Sequence, residues 1–326
     1  MRLRRRAGGS RRRILFATDL HGSDVVFRKF LNAVQVYEAD VAILGGDLTG
    51  KRIVPLIEER GGLSAEIGGR RVVALDFEEA AALERRVRDL GQYPVRMTLA
   101  EHERVADDDD ATHAIFVEQC VAQVRDWMER AAERLEPLSV PLFVTGGNDD
   151  YLIIEDVLDA APHAVNAEGE VLEVTPTVEM ASTGYGNPTP WHCPRDISEE
   201  GLLEKIERMA EQLRDSRHAI FNLHVPPYSS GLDLCPRLDT RFDPPKPIVG
   251  EEVPAGSWAV RGSIERYGPM LSLHGHIHES PGIRRLGPTV AINPGSEYGE
   301  GILRSAVVDL ATNGAVELSA AQLLTA

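Results

Sequence analysis

The sequence predicts an α/β fold, and two observations predict it. Residues 13–44 read as strand, helix, strand, a unit that favours a parallel pair joined by a right-handed crossover. Five separate apolar strands each end in an Asp, Asn or His, usually with a glycine beside it. In open α/β sheets, sites gather beyond the carboxyl ends of the strands.

The elements follow in order. Arg13 to Thr18 is a short apolar run of strand character. Phe27, Phe30, Leu31 and Val34 recur at i, i+3, i+4 and i+7, one face of a helix with Ser23 or Asp24 as its N-cap. Val41–Leu44 is a second buried strand, ended by Gly45-Gly46. A hairpin is expected between Leu63 and Leu75 around Gly68-Gly69, then helices near Glu78–Leu90 and from about Ala111 to Leu135. The acidic run Asp107–Asp110 lacks the glycine and closing glutamate of a calcium loop, and suits the positive end of the helix dipole. Leu142-Phe143-Val144 then runs into Gly146-Gly147-Asn148, Ala219–Leu223 into His224, and Met270–Leu273 into His274. From Ile283 short strands alternate with turns at Gly287-Pro288 and Asn313-Gly314. Pro226 to Gly256 shows almost no periodicity and is expected as a loop over an active site.

Length and charge bound the function. The 326 residues contain no internal repeat and no linker, so residues 13–326 are expected as a single domain behind a disordered basic tail, residues 1–12. The seven arginines between Arg2 and Arg13 do not make an export signal, because the apolar run that follows is ended by Asp19. The net charge is −16; without that stretch 28 basic residues face 51 acidic ones, a net −23. Such a body repels duplex nucleic acid, whose capture depends on basic contacts to phosphates. No run nears the roughly 20 apolar residues of a membrane span, so no membrane partner is expected. Cys120, Cys193 and Cys235 are too few for a disulfide framework, and His192-Cys193 reads as loop decoration; a cytoplasmic location is expected.

The chemistry sits at the strand ends. Asp19-x-His21, Gly46-Asp47, Gly147-Asn148, His224 and His274-Gly275-His276-Ile277-His278 are each weak alone, apart from the last. Burying two or three imidazoles on one tight turn without a metal is costly. Together and in order, the five pieces resemble the signature of the calcineurin-like metallophosphoesterase superfamily, over roughly residues 13–300. Ala17-Thr18-Asp19-Leu20-His21-Gly22 and Ile292-Asn293-Pro294-Gly295-Ser296 look like its small prokaryotic, Icc-related branch.

The resemblance implies a metallophosphoesterase-type α/β/β/α sandwich, two mixed sheets packed face to face and flanked by helices. It implies two divalent metal ions, Mn, Fe or Zn with Mn favoured. Asp19, His21 and His278 would hold one, Asn148, His224 and His276 the other, and Asp47 would bridge them. Neutral imidazole and carboxylate suit such ions, and the Asn carbonyl adds a ligand without charge. The implied reaction is hydrolysis of a phosphodiester or phosphomonoester by a hydroxide held between the metals, on a small phosphorylated substrate such as a nucleotide. Insertions near residues 51–135 and 226–256 are expected to shape the pocket or a homodimer contact.

One departure matters. The family has His after the motif Asn, a residue that helps protonate the leaving group; here it is Asp149. A carboxylate beside two cations stays ionised, which predicts weaker acid help, with His274 or a metal-bound water as the alternative proton source. The same departure opens a second reading, a metal-containing nucleotide- or phosphate-binding regulatory protein with little turnover. Two rivals are weaker. Gly45 to Lys51 fits G-x-x-x-x-G-K, but Arg52 follows where a P-loop needs Ser or Thr. The phosphate-gripping arginines of the family's protein phosphatases are absent here.

Overall fold

The computed structural model describes residues 11–59, 61–242, 244–311 and 316–326. Strand β1 (Arg11–Ala17), helix α1 (Asp24–Val36) and strand β2 (Val41–Leu44) form the expected unit, with Ile14 opposite Val41 and Ala17 opposite Leu44 in parallel. Next come β3 (Ile53–Glu59), β4 (Gly62–Ile67), β5 (Arg70–Ala74), α2 (Phe77–Asp89), β6 (Tyr93–Thr98), α3 (Leu99–Ala106) and the long α4 (Asp109–Leu135). The middle of the chain holds β7 (Leu142–Val144), α5 (Ile153–Asp159), β8 (Ala164–Asn166), β9 (Val171–Thr175), β10 (Val178–Thr183), α6 (Glu199–Ala210) and β11 (Ile220–Leu223). It closes with β12 (Leu234–Asp239), β13 (Lys246–Pro254), α7 (Trp258–Tyr267), β14 (Leu271–Leu273), β15 (Gly282–Leu286), β16 (Thr289–Asn293), β17 (Arg304–Ala311) and β18 (Glu317–Thr325).

Two six-stranded mixed sheets carry the fold, in the orders β18-β17-β1-β2-β7-β8 and β15-β16-β14-β11-β10-β9. In each, four adjacent strands run parallel: β1, β2, β7 and β8 in the first, β16, β14, β11 and β10 in the second. The sheets face each other through one apolar layer, where Ile14, Phe16, Ile43 and Phe143 meet Met180, Ile220, Leu271 and Ile292. The alternate residues Leu15, Ala17, Ala42 and Leu44 point the other way, against Phe27, Phe30 and Leu31 of α1 and Trp127 of α4. Trp127 stacks on Phe27 at 4.4 Å and donates from Nε1 to Asp24 at 2.6 Å, locking α4 onto α1. On the far face of the second sheet, Leu202, Ile206 and Met209 of α6 and Val260 and Ile264 of α7 cover Ala181, Phe221 and Leu223. The result is the α/β/β/α sandwich with mixed sheets that the sequence implied.

Several local expectations hold. The hairpin turns at Gly68-Gly69, both at positive φ, between β4 and β5. Asp108 caps α4 by accepting from the N–H of Ala111, so the acidic run serves the helix terminus. Others are corrected. Residues 226–256 are not irregular throughout: β12 and β13 pair as an antiparallel hairpin, which Pro236 and the Pro, Gly and Glu residues of β13 concealed. Residues 51–135, expected as an insertion with a hairpin and two helices, divide in two: β5-β4-β3-β6 form their own sheet under α2, while α4 belongs to the main core. Arg11 and Arg12, expected in the tail, belong to β1, whose pairing with β17 reaches Arg11 opposite Ala311. The rest of the tail and the Asn313-Gly314 turn lie outside the described residues. Among the described residues, no helix is long and apolar enough to cross a membrane.

Candidate metal centre

The loops after β1 and β2 run side by side, because the ladder continues past the strands. Asp19 N donates to Gly46 O at 2.9 Å, His21 N to Asp47 O at 2.9 Å and Gly22 N to Leu48 O at 2.8 Å. From the second sheet, His224 leaves β11 and the His274–His278 turn leaves β14, tied together by Gly275 N donating to His224 O at 2.8 Å. The carboxyl ends of parallel strands from both sheets thus meet at one place.

Two separate clusters of metal-type side chains form there, each with ligand atoms within 4.8 Å of one another, Asp19, His21 and His278, and Asp47, His224 and His276; a third such group, His21, Asp47 and Asp149, overlaps both. His278 Nε2 lies 3.1 Å from His21 Nε2 and 3.3 Å from Asp19 Oδ1. Asp47 stands between the clusters. Its Oδ1 is 3.4 Å from His224 Nε2 and its Oδ2 is 3.6 Å from His21 Nε2, so one carboxylate presents an oxygen to each side. Asn148 joins the second cluster, with Oδ1 at 2.9 Å from His276 Nδ1. All seven expected ligands therefore converge. His192 and Cys193 join no such cluster among the described residues.

The backbone shows how closely the parts are fitted. Asp19, His21, Asp47 and His276 have φ of 54°, 41°, 51° and 64°, half of the eight non-glycine residues at positive φ among those described. Such conformations cost about 1–3 kcal/mol each and persist only where the surroundings impose them. A Cβ on Gly147 would strike the Asp47 carboxylate, and one on Gly275 would strike that of Asp19. These glycines are required by close approach.

Residues that were not expected as ligands hold the ligands in place. The buried Asp150 carboxylate accepts from Leu48 N, Thr49 N, Thr49 Oγ1 and Gly147 N at 2.6–3.0 Å, joining the Asp47 loop to the Asn148 loop. Asp196 takes Asn148 Nδ2 at 3.0 Å and so turns Oδ1 towards the centre. The fully buried Arg195 donates to Asp150 O at 2.9 Å and to Glu155. Asn293, within the Ile-Asn-Pro-Gly-Ser stretch, donates to the carbonyls of Gly275 and Ile277 and fixes the histidine turn.

Burial opposes charge on every group here. It holds His21 well below the ordinary imidazole range and brings His276 down to about 4. Burial also acts on His224 and His278, but Asp47 raises the first to about 9 and the hydrogen bond with Asp19 raises the second. Asp19 and Asp47 are held below the usual carboxylate range, since these imidazoles outweigh burial. The two carboxylates thus draw positive charge to one imidazole in each cluster, a field that suits a divalent cation in each. His224 Nδ1 faces the Gly45 carbonyl at 2.9 Å, which turns Nε2 inward, where it has no hydrogen-bond partner. Donor types, burial and this inward nitrogen all fit a pair of metal ions.

His274 lies outside both clusters. Its Nδ1 faces the carbonyls of Leu223 and Val225 at 2.8 and 3.1 Å, and burial pushes its pKa down to about 4. Asp149 sits at the rim, its N–H donating to Asp47 Oδ1 at 3.1 Å and its carboxylate paired with Lys51. Burial, then Asp47, raise its pKa, against Lys51. Lys51 leads into β3 rather than a helix, which removes the helix N-terminus a P-loop requires.

No family model matches the chain. The Uncharacterized protein MJ1162 of Methanocaldococcus jannaschii is 27% identical over 191 residues, 57% of this chain and 73% of that protein. The crystal structure of TT1561 of Thermus thermophilus aligns with a TM-score of 0.52 and 14% identity, covering 97% of this chain and 98% of that one. That likeness shows the fold alone. A solved archaeal phosphodiesterase covers 96% of this chain and 99% of its own at a TM-score of 0.38 and 10% identity, too distant to bear on this chain.

Proposed function

We propose that the chain is a metal-dependent phosphoesterase of the calcineurin-like superfamily, acting on a small phosphodiester or phosphomonoester such as a nucleotide. The observation that carries this reading is the Asp47 carboxylate, with one oxygen on each of two Asp/His clusters at the carboxyl ends of strands from both sheets. Asp19, His21 and His278 would hold one divalent ion and Asn148, His224 and His276 the other, with Mn favoured over Fe or Zn. Such a pair, when bound, polarises the phosphoryl group and makes water a nucleophile near neutral pH.

The chain's own residues do the rest. Gly45 O and Asp196 orient His224 and Asn148, and Asp150 fixes the spacing between the Asp47 and Asn148 loops. With two cations bound beside it, the Asp149 carboxylate would stay ionised and donate a proton poorly, so esters with good leaving groups are preferred. His274, committed to two carbonyls, positions the turn that follows it.

The test is hydrolysis of bis-p-nitrophenyl phosphate and of the monoester with Mn²⁺, comparing wild type with Asp47→Asn. Turnover that needs metal and falls at least about a hundredfold in the variant supports the enzyme. A metal-replete wild type without turnover favours the regulatory binding protein, to which Asp149 in place of histidine points.

A further inference from the structure

We propose that Lys51 is the cation that grips the substrate's phosphate, held ready by Asp149 at the position where the resembled family has histidine. This rests on the phosphoesterase reading and names a binding residue for it.

The loop that carries Lys51 is fixed relative to Asp47. Thr49 is bound through N and Oγ1 to Asp150 at 2.9 and 2.6 Å, and Gly50 N donates to Tyr93 Oη at 2.7 Å. Lys51 follows directly, and its ammonium meets the Asp149 carboxylate. That carboxylate offers an oxygen within 4.8 Å of ligand atoms of both His21 and Asp47, so the ammonium stands at the mouth of the centre. Lys51 keeps 44% of its side chain exposed and is open to a ligand. An ammonium has three N–H donors, and a contact to Asp149 leaves two for phosphoryl oxygens.

Electrostatics favours such a group beside the two metal ions. Asp19, Asp47 and Asp149 gather three carboxylates at the place an anionic ester must enter, and Asp149 is the outermost. Unpaired, it would repel the ester. Paired with Lys51, it becomes the anchor for a positive charge aimed at the incoming phosphate. The arrangement supplies the charge of the absent histidine and not its proton, since Lys51 is held in its charged form by Asp47 and Asp149 against burial.

The experiment uses the Mn²⁺-loaded protein with Lys51→Met, Lys51→Gln, Lys51→Arg and Asp149→Asn. It measures metal content, the Kd of inorganic phosphate by calorimetry, and KM and kcat for both p-nitrophenyl esters. Lys51→Met and Lys51→Gln should keep their metal, yet weaken phosphate binding and raise KM roughly 10- to 100-fold, as loss of one charge-assisted contact predicts. Lys51→Arg should restore binding to within about threefold because the charge remains, whereas Asp149→Asn should weaken it about three- to tenfold, because the ammonium loses the anchor that aims it. Phosphate bound as tightly by Lys51→Met as by wild type, or loss of metal in the lysine variants, overturns the proposal. A wild type that binds phosphate through Lys51 but cleaves neither ester overturns the phosphoesterase reading alone. Cleavage with unchanged KM in Lys51→Met overturns this inference alone, and a wild type that neither binds nor cleaves overturns both.

Discussion

Asp150 is the residue whose replacement most directly tests how the centre is assembled. Its Oδ2 accepts from Leu48 N and Gly147 N, and its Oδ1 from Thr49 N and Thr49 Oγ1, in a fully buried position. Asparagine has the same shape but one amide edge that donates. Turned towards Thr49, that edge faces a hydroxyl that can rotate to accept and one N–H that cannot; turned the other way, it faces two N–H groups. Asp150→Asn therefore orphans at least one buried N–H and removes the charge, at about 1–3 kcal/mol. Asp150→Ala orphans three N–H groups at once, and partial relaxation brings the expected loss to about 3–5 kcal/mol. With an unfolding entropy of about 2.1 cal/mol/K per residue, 326 residues give roughly 1.5 °C per kcal/mol, so the alanine variant should melt about 4–7 °C lower. The melt should be run with chelator, so that bound metal does not contribute to Tm. The two loops then lose their tether, and metal content measured by mass spectrometry should fall. An alanine variant that melts within about 1 °C of wild type and keeps its metal would refute the reasoning.

Two further predictions follow from single contacts. Gly275→Ala drives a Cβ into the Asp19 carboxylate and Thr18 Oγ1, which should cost about 1–3 kcal/mol and displace Asp19; the variant should keep its far-ultraviolet circular dichroism but bind less metal, and full metal occupancy would count against the close approach. Asp309, on β17, is paired bidentately with Arg13 of β1 at 2.8 and 3.0 Å, and that hydrogen-bonded pairing lowers its pKa. A lowered carboxylate stabilises the fold above its unfolded value near 3.9, and the benefit is lost as pH falls through the lower folded pKa. Asp309→Asn should therefore destabilise by about 1–3 kcal/mol at pH 7 and by progressively less below pH 4, and an equal deficit at pH 2.5 in urea melts would contradict the pairing.

Much of the site was legible because its chemistry is written at strand ends. An apolar run stopped by Gly-Asp, Gly-Asn or His gives both the strand and the point at which the chain leaves it, as at Leu44-Gly45-Gly46-Asp47 and Leu273-His274-Gly275-His276. Some missed elements had a signal: Leu202, Ile206 and Met209 recur at helical spacing and bury against the second sheet. The β12–β13 hairpin had none, since its residues are mostly half-buried or exposed and Pro, Gly and Glu mask any alternation. Lys51 was visible only as part of a failed P-loop match.

The sequence by itself determined the five strand ends, their order, and the ligand types that occupy them, because strand formation and residue chemistry are local properties. The folded structure alone shows that Asp150 and Asp196 hold neighbouring loops, that His274 turns away to two carbonyls, and that Lys51 reaches Asp149. Each of these depends on which loops lie side by side when two sheets close on one apolar layer, and buried hydrogen bonds between distant segments leave no periodicity to read.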